Sequence, residues 1–139
     1  MTVLLDASVL VPLFARDALT PRALAFVAQA GEAMLVSDWA ALETISAFSL
    51  KARSGAISLN EAEAARDTLL HWRKDFAISL VLESSDFDAA TKMLGAFRLN
   101  LRAPDALHLA MAQRLNATLA TFDAKLAAAG KSVGITVVP

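Results

Sequence analysis

Short apolar runs alternate with longer stretches of helical spacing along the whole chain, and this alternation constrains the fold most. The first run is Val3-Leu4-Leu5, closed by Asp6. Ala33-Met34-Leu35-Val36, Ala77 to Leu82, Thr118-Leu119-Ala120 and Ile135 to Val138 follow as further strand candidates. Strands separated by helices predict a parallel sheet covered on both faces. The expected architecture is therefore α/β, a single domain over 1–139. Its central parallel sheet has four to five strands, flanked by helices on both faces as an α/β/α sandwich.

The intervening segments carry their own start and stop signals. Ala7 to about Arg16 has helical spacing with Pro12 early in it, where proline is tolerated. Thr20-Pro21 opens a helix to about Ala30. Ser37 or Asp38 caps a long helix from Trp39 to about Arg53. Ser58-Leu59-Asn60-Glu61 is a capping box that starts a helix to about Lys74. Asp86 or Asp88 starts a helix ending near Leu99. Ala103-Pro104-Asp105 starts another, which ends at Asn116 in a left-handed cap. Asp123 to Ala129 is a short helix. No repeat, linker or low-complexity segment interrupts this order.

Composition removes several classes. With 56% hydrophobic residues the chain builds a packed core. No charge-free run exceeds about nine residues, against the roughly 20 that a transmembrane helix needs. The first apolar run lacks a basic leader and contains Asp6, so no signal peptide is expected. There is no cysteine, hence no disulfide, thiolate nucleophile or Cys-based zinc site. These features fit a cytoplasmic protein. The net charge of -1 is too acidic for a dedicated duplex-DNA binder, unless the acids gather in one place.

The acids suggest that they do gather. Asp6 and Asp123 follow strand candidates, as Leu5-Asp6 and Thr121-Phe122-Asp123. Asp105 sits in a first helical turn behind Pro104. On a helical wheel Glu43 falls with Trp39, Leu42 and Leu50, a face expected to be buried. Taken singly, each has a plain structural reading: Asp6, Asp105 and Asp123 suit helix N-termini, and Glu43 suits a solvated helix. Taken together, all four could converge at one end of the sheet. Two carboxylates about 4 Å apart repel by roughly 4 kcal/mol at an effective dielectric near 20. A cation must then offset them, and oxygen ligands suit Mg²⁺ or Mn²⁺, the equipment of phosphate-ester chemistry.

At this point the chain resembles the PIN-domain nucleases, specifically the VapC-type toxins of bacterial toxin–antitoxin pairs. Four segments carry the likeness: Leu4-Leu5-Asp6-Ala7-Ser8, Leu42-Glu43-Thr44, Leu101-Arg102-Ala103-Pro104-Asp105-Ala106-Leu107-His108-Leu109-Ala110, and Ala120-Thr121-Phe122-Asp123. The resemblance implies a metal-dependent endoribonuclease whose products carry a 5′-phosphate and a 3′-hydroxyl. It implies that Asp6, Glu43, Asp105 and Asp123 are the catalytic, metal-holding acids around Mg²⁺ or Mn²⁺, supported by Ser8 and Thr121. It also implies a homodimer and a cognate antitoxin that blocks the acids. Arg102, Arg16, Lys51, Arg98 and Arg53 are candidates to hold RNA. His108, one turn after Asp105, reads first as structural, and His71 has no catalytic role. The Met and Phe residues read as core, while Trp72 and Phe76 divide between core and dimer interface. The middle stretch 56–85 carries no family motif.

Two rivals differ in class. A dehalogenase-like phosphatase wants a second Asp two residues after the first, where this chain has Ser8. A non-catalytic PIN-like module for protein or RNA binding would not need four acids.

Overall fold

A computed structural model describes residues 2–139. The elements in order are β1 (Thr2–Leu5), α1 (Ala7–Phe14), α2 (Thr20–Gln29), β2 (Ala33–Ser37), α3 (Asp38–Arg53), α4 (Leu59–Phe76), β3 (Ile78–Leu80), α5 (Ser84–Gly95), α6 (Ala103–Leu115), β4 (Thr118–Ala120), α7 (Ala124–Ser132) and β5 (Val137–Val138). All five strands are parallel, in the order β3-β2-β1-β4-β5.

The pleat divides the core. Val3, Leu5, Val36 and Ala120 pack with Val9 and Leu10 of α1, Phe48 of α3 and Leu69 of α4. Leu4, Leu35 and Leu119 face the other way, onto Leu109 and Met111 of α6 and Leu126 of α7. Leu4 and Leu5 are both fully buried, so each contributes about 1.5–3 kcal/mol of transfer free energy. A strand apolar on both sides belongs in the middle of such a sheet, which is where β1 lies.

Local signals placed most boundaries. Ser58 and Glu61 form the expected reciprocal capping box, and Asn116 ends α6 in the left-handed region at φ 48°. Some differ. Helix α1 stops at Phe14 rather than near Arg16, and Pro12 is its sixth residue, where its missing N–H leaves a gap in the hydrogen-bond ladder. Helix α5 begins at Ser84, with Glu83 as its cap and Asp86 reaching back to the Glu83 N–H. Helix α7 runs on to Ser132.

The aromatic residues do not all belong to the core. Phe48 is buried, but Phe76, Phe87 and Phe97 are exposed. Trp72 packs edge-on against Phe14, with ring centroids 5.5 Å apart.

Candidate active site

Strand order reverses at β1: β2 and β3 lie to one side, β4 and β5 to the other. In open α/β sheets the crevice beyond the strand ends at such a reversal is where ligands sit. Asp6 occupies that position. Its N–H donates to the Ala120 carbonyl across the β1–β4 junction (3.2 Å), and its side chain caps α1. Oδ1 accepts from the backbone N–H groups of Ser8 (3.0 Å) and Val9 (3.3 Å) and from Ser8 Oγ (2.6 Å). Oδ2 accepts from Thr121 Oγ1 (2.8 Å).

The two hydroxyls are held in turn. Ser8 Oγ accepts from Phe122 N (2.7 Å), and Thr121 Oγ1 accepts from Asp123 N (3.0 Å). Each hydroxyl has a single proton, and each directs it at Asp6. The 3.1 Å contact between the two oxygens therefore holds no proton. Asp6 is only 4% exposed, and burial pushes its carboxyl above the ordinary carboxylate value. The Ser8 and Thr121 hydroxyls, the charge of His108 and the Val9 N–H oppose that shift.

Asp105 sits in the first turn of α6, partly buried. Burial raises its carboxyl first, then the charge of Asp123, with Glu43 adding to both and His108 opposing. Asp123 is exposed and caps α7, Oδ1 accepting from Lys125 N (2.8 Å) and Leu126 N (3.0 Å). Asp105 and Asp123 line one cleft of about 310 Å³ with Asn100, Leu101, Arg102 and Lys125.

Glu43 is placed differently from the wheel reading. Leu42 and Leu50 are 60% and 58% exposed, whereas Ala40, Ala41, Thr44 and Phe48 form the buried face of α3. Small alanines let α3 approach α1 closely, so the large leucines were left outside. Glu43 lines an adjacent groove of about 610 Å³ with Trp39, Leu42, Leu50, Arg53 and Pro104, and its Oε2 meets His108 Nε2. Asp105 responds to Glu43, Asp123 and His108, and Asp6 responds to His108. Asp105 therefore shares an electrostatic neighbourhood with Asp123 and Glu43, and His108 links Asp6 to it. Among the described residues, no three Asp, Glu or His side chains converge closely enough to hold a metal ion as they stand.

The family model of the PIN domain matches residues 3–132. The chain belongs to the PIN-domain family. Its fold is also that of Mycobacterium tuberculosis VapC20, a sarcin-ricin loop cleaving toxin (21% identity, TM-score 0.74, 92% of this chain and 95% of that one). It is likewise similar to FitAcB from Neisseria gonorrhoeae (17% identity, TM-score 0.69, 99% and 96% covered). A third match is VapBC2 from Rickettsia felis, bound to a DNA fragment from their promoter (15% identity, TM-score 0.69, 99% and 98% covered). No curated protein matches in sequence.

The cations of this PIN domain divide by position. Arg102 lines the cleft of Asp105 and Asp123, and Arg98 lines the neighbouring hollow, which shares Asn100 and Lys125 with it. The sequence reading missed Lys125 and Asn100. The available signal for Lys125 was its place two residues after Asp123, in the first turn of α7. Lys51 instead pairs with Asp17 (3.8 Å), Arg53 donates to Ser49 Oγ (3.4 Å), and Arg16 follows the end of α1; none of these three lines the Asp105 cleft. His71 is on the surface beside Asp75 (3.1 Å).

The raised Asp105 carboxyl has a consequence for stability. In the window above about pH 4, the ordinary Asp value, the folded chain binds more protons than the unfolded one. Stability then falls as pH rises through the folded value, and the cost is complete above it. Metal-free Asp105→Asn is expected to melt at a higher temperature than the wild type at pH 7, with the difference closing near pH 4. Thermal melts in chelator at the two pH values check this; a constant offset between the proteins would contradict it.

Proposed function

We propose that this PIN domain is a divalent-metal-dependent endoribonuclease and the toxin of a toxin–antitoxin pair. One observation carries the reading: Asp105 and Asp123 line one cleft, and Asp123 follows β4, the strand whose last residue, Ala120, accepts from the N–H of the buried Asp6 at the switch point of the sheet. Clustered carboxylates of this kind are the donor set of a hard cation, Mg²⁺ or Mn²⁺. Asp6, Glu43, Asp105 and Asp123 would hold it. A bound ion of this class lowers the pKa of its water and offsets charge on a phosphate under attack.

The chain's own residues do the rest. Ser8 and Thr121 keep both oxygens of Asp6 in fixed directions. Arg102 and Lys125, on the rim of the acidic cleft, hold phosphates of the RNA strand on either side of the scissile bond, with Arg98 further along. Phosphate contacts of this sort position a strand without reading its sequence. The resemblance to VapC-type toxins adds a cognate antitoxin and a homodimer. Among the described residues no helix is long and apolar enough to cross a membrane.

Incubation of the purified protein with RNA tests the proposal. Cleavage is expected with Mn²⁺ or Mg²⁺, none in excess chelator, and 5′-phosphate ends on the products. Metal-independent cleavage would overturn the metal site. RNA bound but uncut with either metal would favour the non-catalytic module.

A further inference from the structure

His108 is buried in the middle of α6, 1% exposed. Its Nε2 lies 2.5 Å from Glu43 Oε2. Its Nδ1 is buried with no hydrogen-bond partner among the described residues. An ionised carboxylate has no proton to give, so the shared hydrogen belongs to Nε2. One turn earlier on each helix, Trp39 Nε1 donates to the Pro104 carbonyl (3.3 Å). Trp39 and Glu43 are four apart on α3, and Pro104 and His108 are four apart on α6, so each pair shares a helix face. The result is two rungs between the helices, made by long side chains. They join the helix that carries Glu43 to the helix that carries Asp105.

A Glu side chain has three free torsions, and ordering it needs a partner. The bond to His108 is the hydrogen bond that holds the Glu43 carboxylate among the described residues, and it leaves Oε1 uncommitted. Stability alone does not account for this arrangement. A buried imidazole with one unpaired nitrogen costs free energy, and an apolar side chain of similar volume makes the better core.

We infer that His108 is a positioning residue for the metal site: its Nε2–H fixes the Glu43 carboxylate against α6, so that Glu43 and Asp105 present oxygen to one divalent cation. The inference rests on the metal reading above. It assigns a task to a histidine that first read as structural.

Mn²⁺ titration calorimetry on chelator-stripped protein tests it, without reference to RNA cleavage. His108→Leu is expected to keep the fold and its melting temperature while weakening Mn²⁺ binding about tenfold or more, the usual scale for residues that orient metal ligands. His108→Gln, which returns an N–H donor to this position, is expected to recover most of the affinity. In a Glu43→Gln background His108→Leu is expected to add nothing, because the two act as one unit. His108→Met is the second donor-free variant should the leucine fail to fold. Unchanged Mn²⁺ affinity in a donor-free variant, or additive effects of the two substitutions, overturns the inference while leaving the metal site standing. Absence of Mn²⁺ binding by the wild-type protein overturns the metal reading, and the inference with it.

Discussion

Replacing Asp6 by asparagine is expected to reduce Mn²⁺-dependent RNA cleavage about a thousandfold or more, with the protein still folded. Under the proposed metal site the loss follows from removing a charged ligand whose metal would supply several kcal/mol of charge stabilisation, since about 4 kcal/mol corresponds to three decades in rate. The fold survives because every group around Asp6 keeps a partner in the redrawn hydrogen-bond network, the second amide N–H of the new side chain being the one group left over. The carbonyl oxygen of the new side chain still accepts from Ser8 N, Val9 N and Ser8 Oγ, which lie 3.0, 3.3 and 2.6 Å from Asp6 Oδ1 in the wild type. The new amide donates to Thr121 Oγ1, and Thr121 turns its own proton to Ser8 Oγ, 3.1 Å away. Burial already works against the Asp6 charge, which offsets the cost of the leftover N–H, so metal-free Asp6→Asn should melt close to the wild type. Single-turnover cleavage beside a thermal melt checks both halves. Cleavage within a few-fold of the wild type would sink the assignment of Asp6.

Arg114→Ala is expected to have the largest effect on stability, about 3 kcal/mol, the lower end of the loss in comparable buried pairs. Arg114, near the end of α6, grips the start of α5: Nε and Nη2 donate to the two oxygens of Asp86 (2.8 and 2.9 Å), and Nη1 donates to Glu83 (2.8 Å). Asp86 is 1% exposed. Removing the arginine leaves a buried carboxylate without its counter-charge, a loss of about 3–5 kcal/mol in such pairs. The lower end applies because Arg114 itself reaches solvent. Replacing both partners with apolar residues, Arg114→Met with Asp86→Leu, should recover part of the loss, the remainder being the cap that Asp86 gives the Glu83 N–H (2.9 Å). Urea unfolding measures it, and a cost under about 1 kcal/mol for Arg114→Ala, the range of an exposed pair, would show that water serves Asp86 as well as the guanidinium does. Cleavage per folded molecule should be unchanged, since the clamp lies at the opposite end of α6 from Asp105.

Much of the fold was legible because its signals are local. Period and length separated strands from helices, and Ser58 with Glu61, Pro104 and Asn116 marked helix ends through bonds and dihedrals within a few residues. Asp6 needed the same local logic, since a carboxylate two residues before Ser8 can cap α1. The exposed side of α3 was not legible. Leu42 and Leu50 are larger apolar residues than Ala40 and Ala41, yet close helix packing favours the small ones. Phe97 misled in the same way, since an aromatic ring has no sequence mark that tells surface from core.

Sequence alone determined the alternating parallel architecture and singled out Asp6, Asp105 and Asp123, with Ser8 and Thr121, at or beside its strand and helix ends. Each of these depends on residue type and short spacing. Only the tertiary structure decided that Thr121 Oγ1 bonds Asp6 across 115 positions, that Glu43 meets His108 rather than the core, and that Arg102 and Lys125 rather than Lys51 border the acidic cleft. Those outcomes depend on which helix faces come together when the chain closes over its sheet. That choice is made by the sum of distant packing contacts, which no local spacing records.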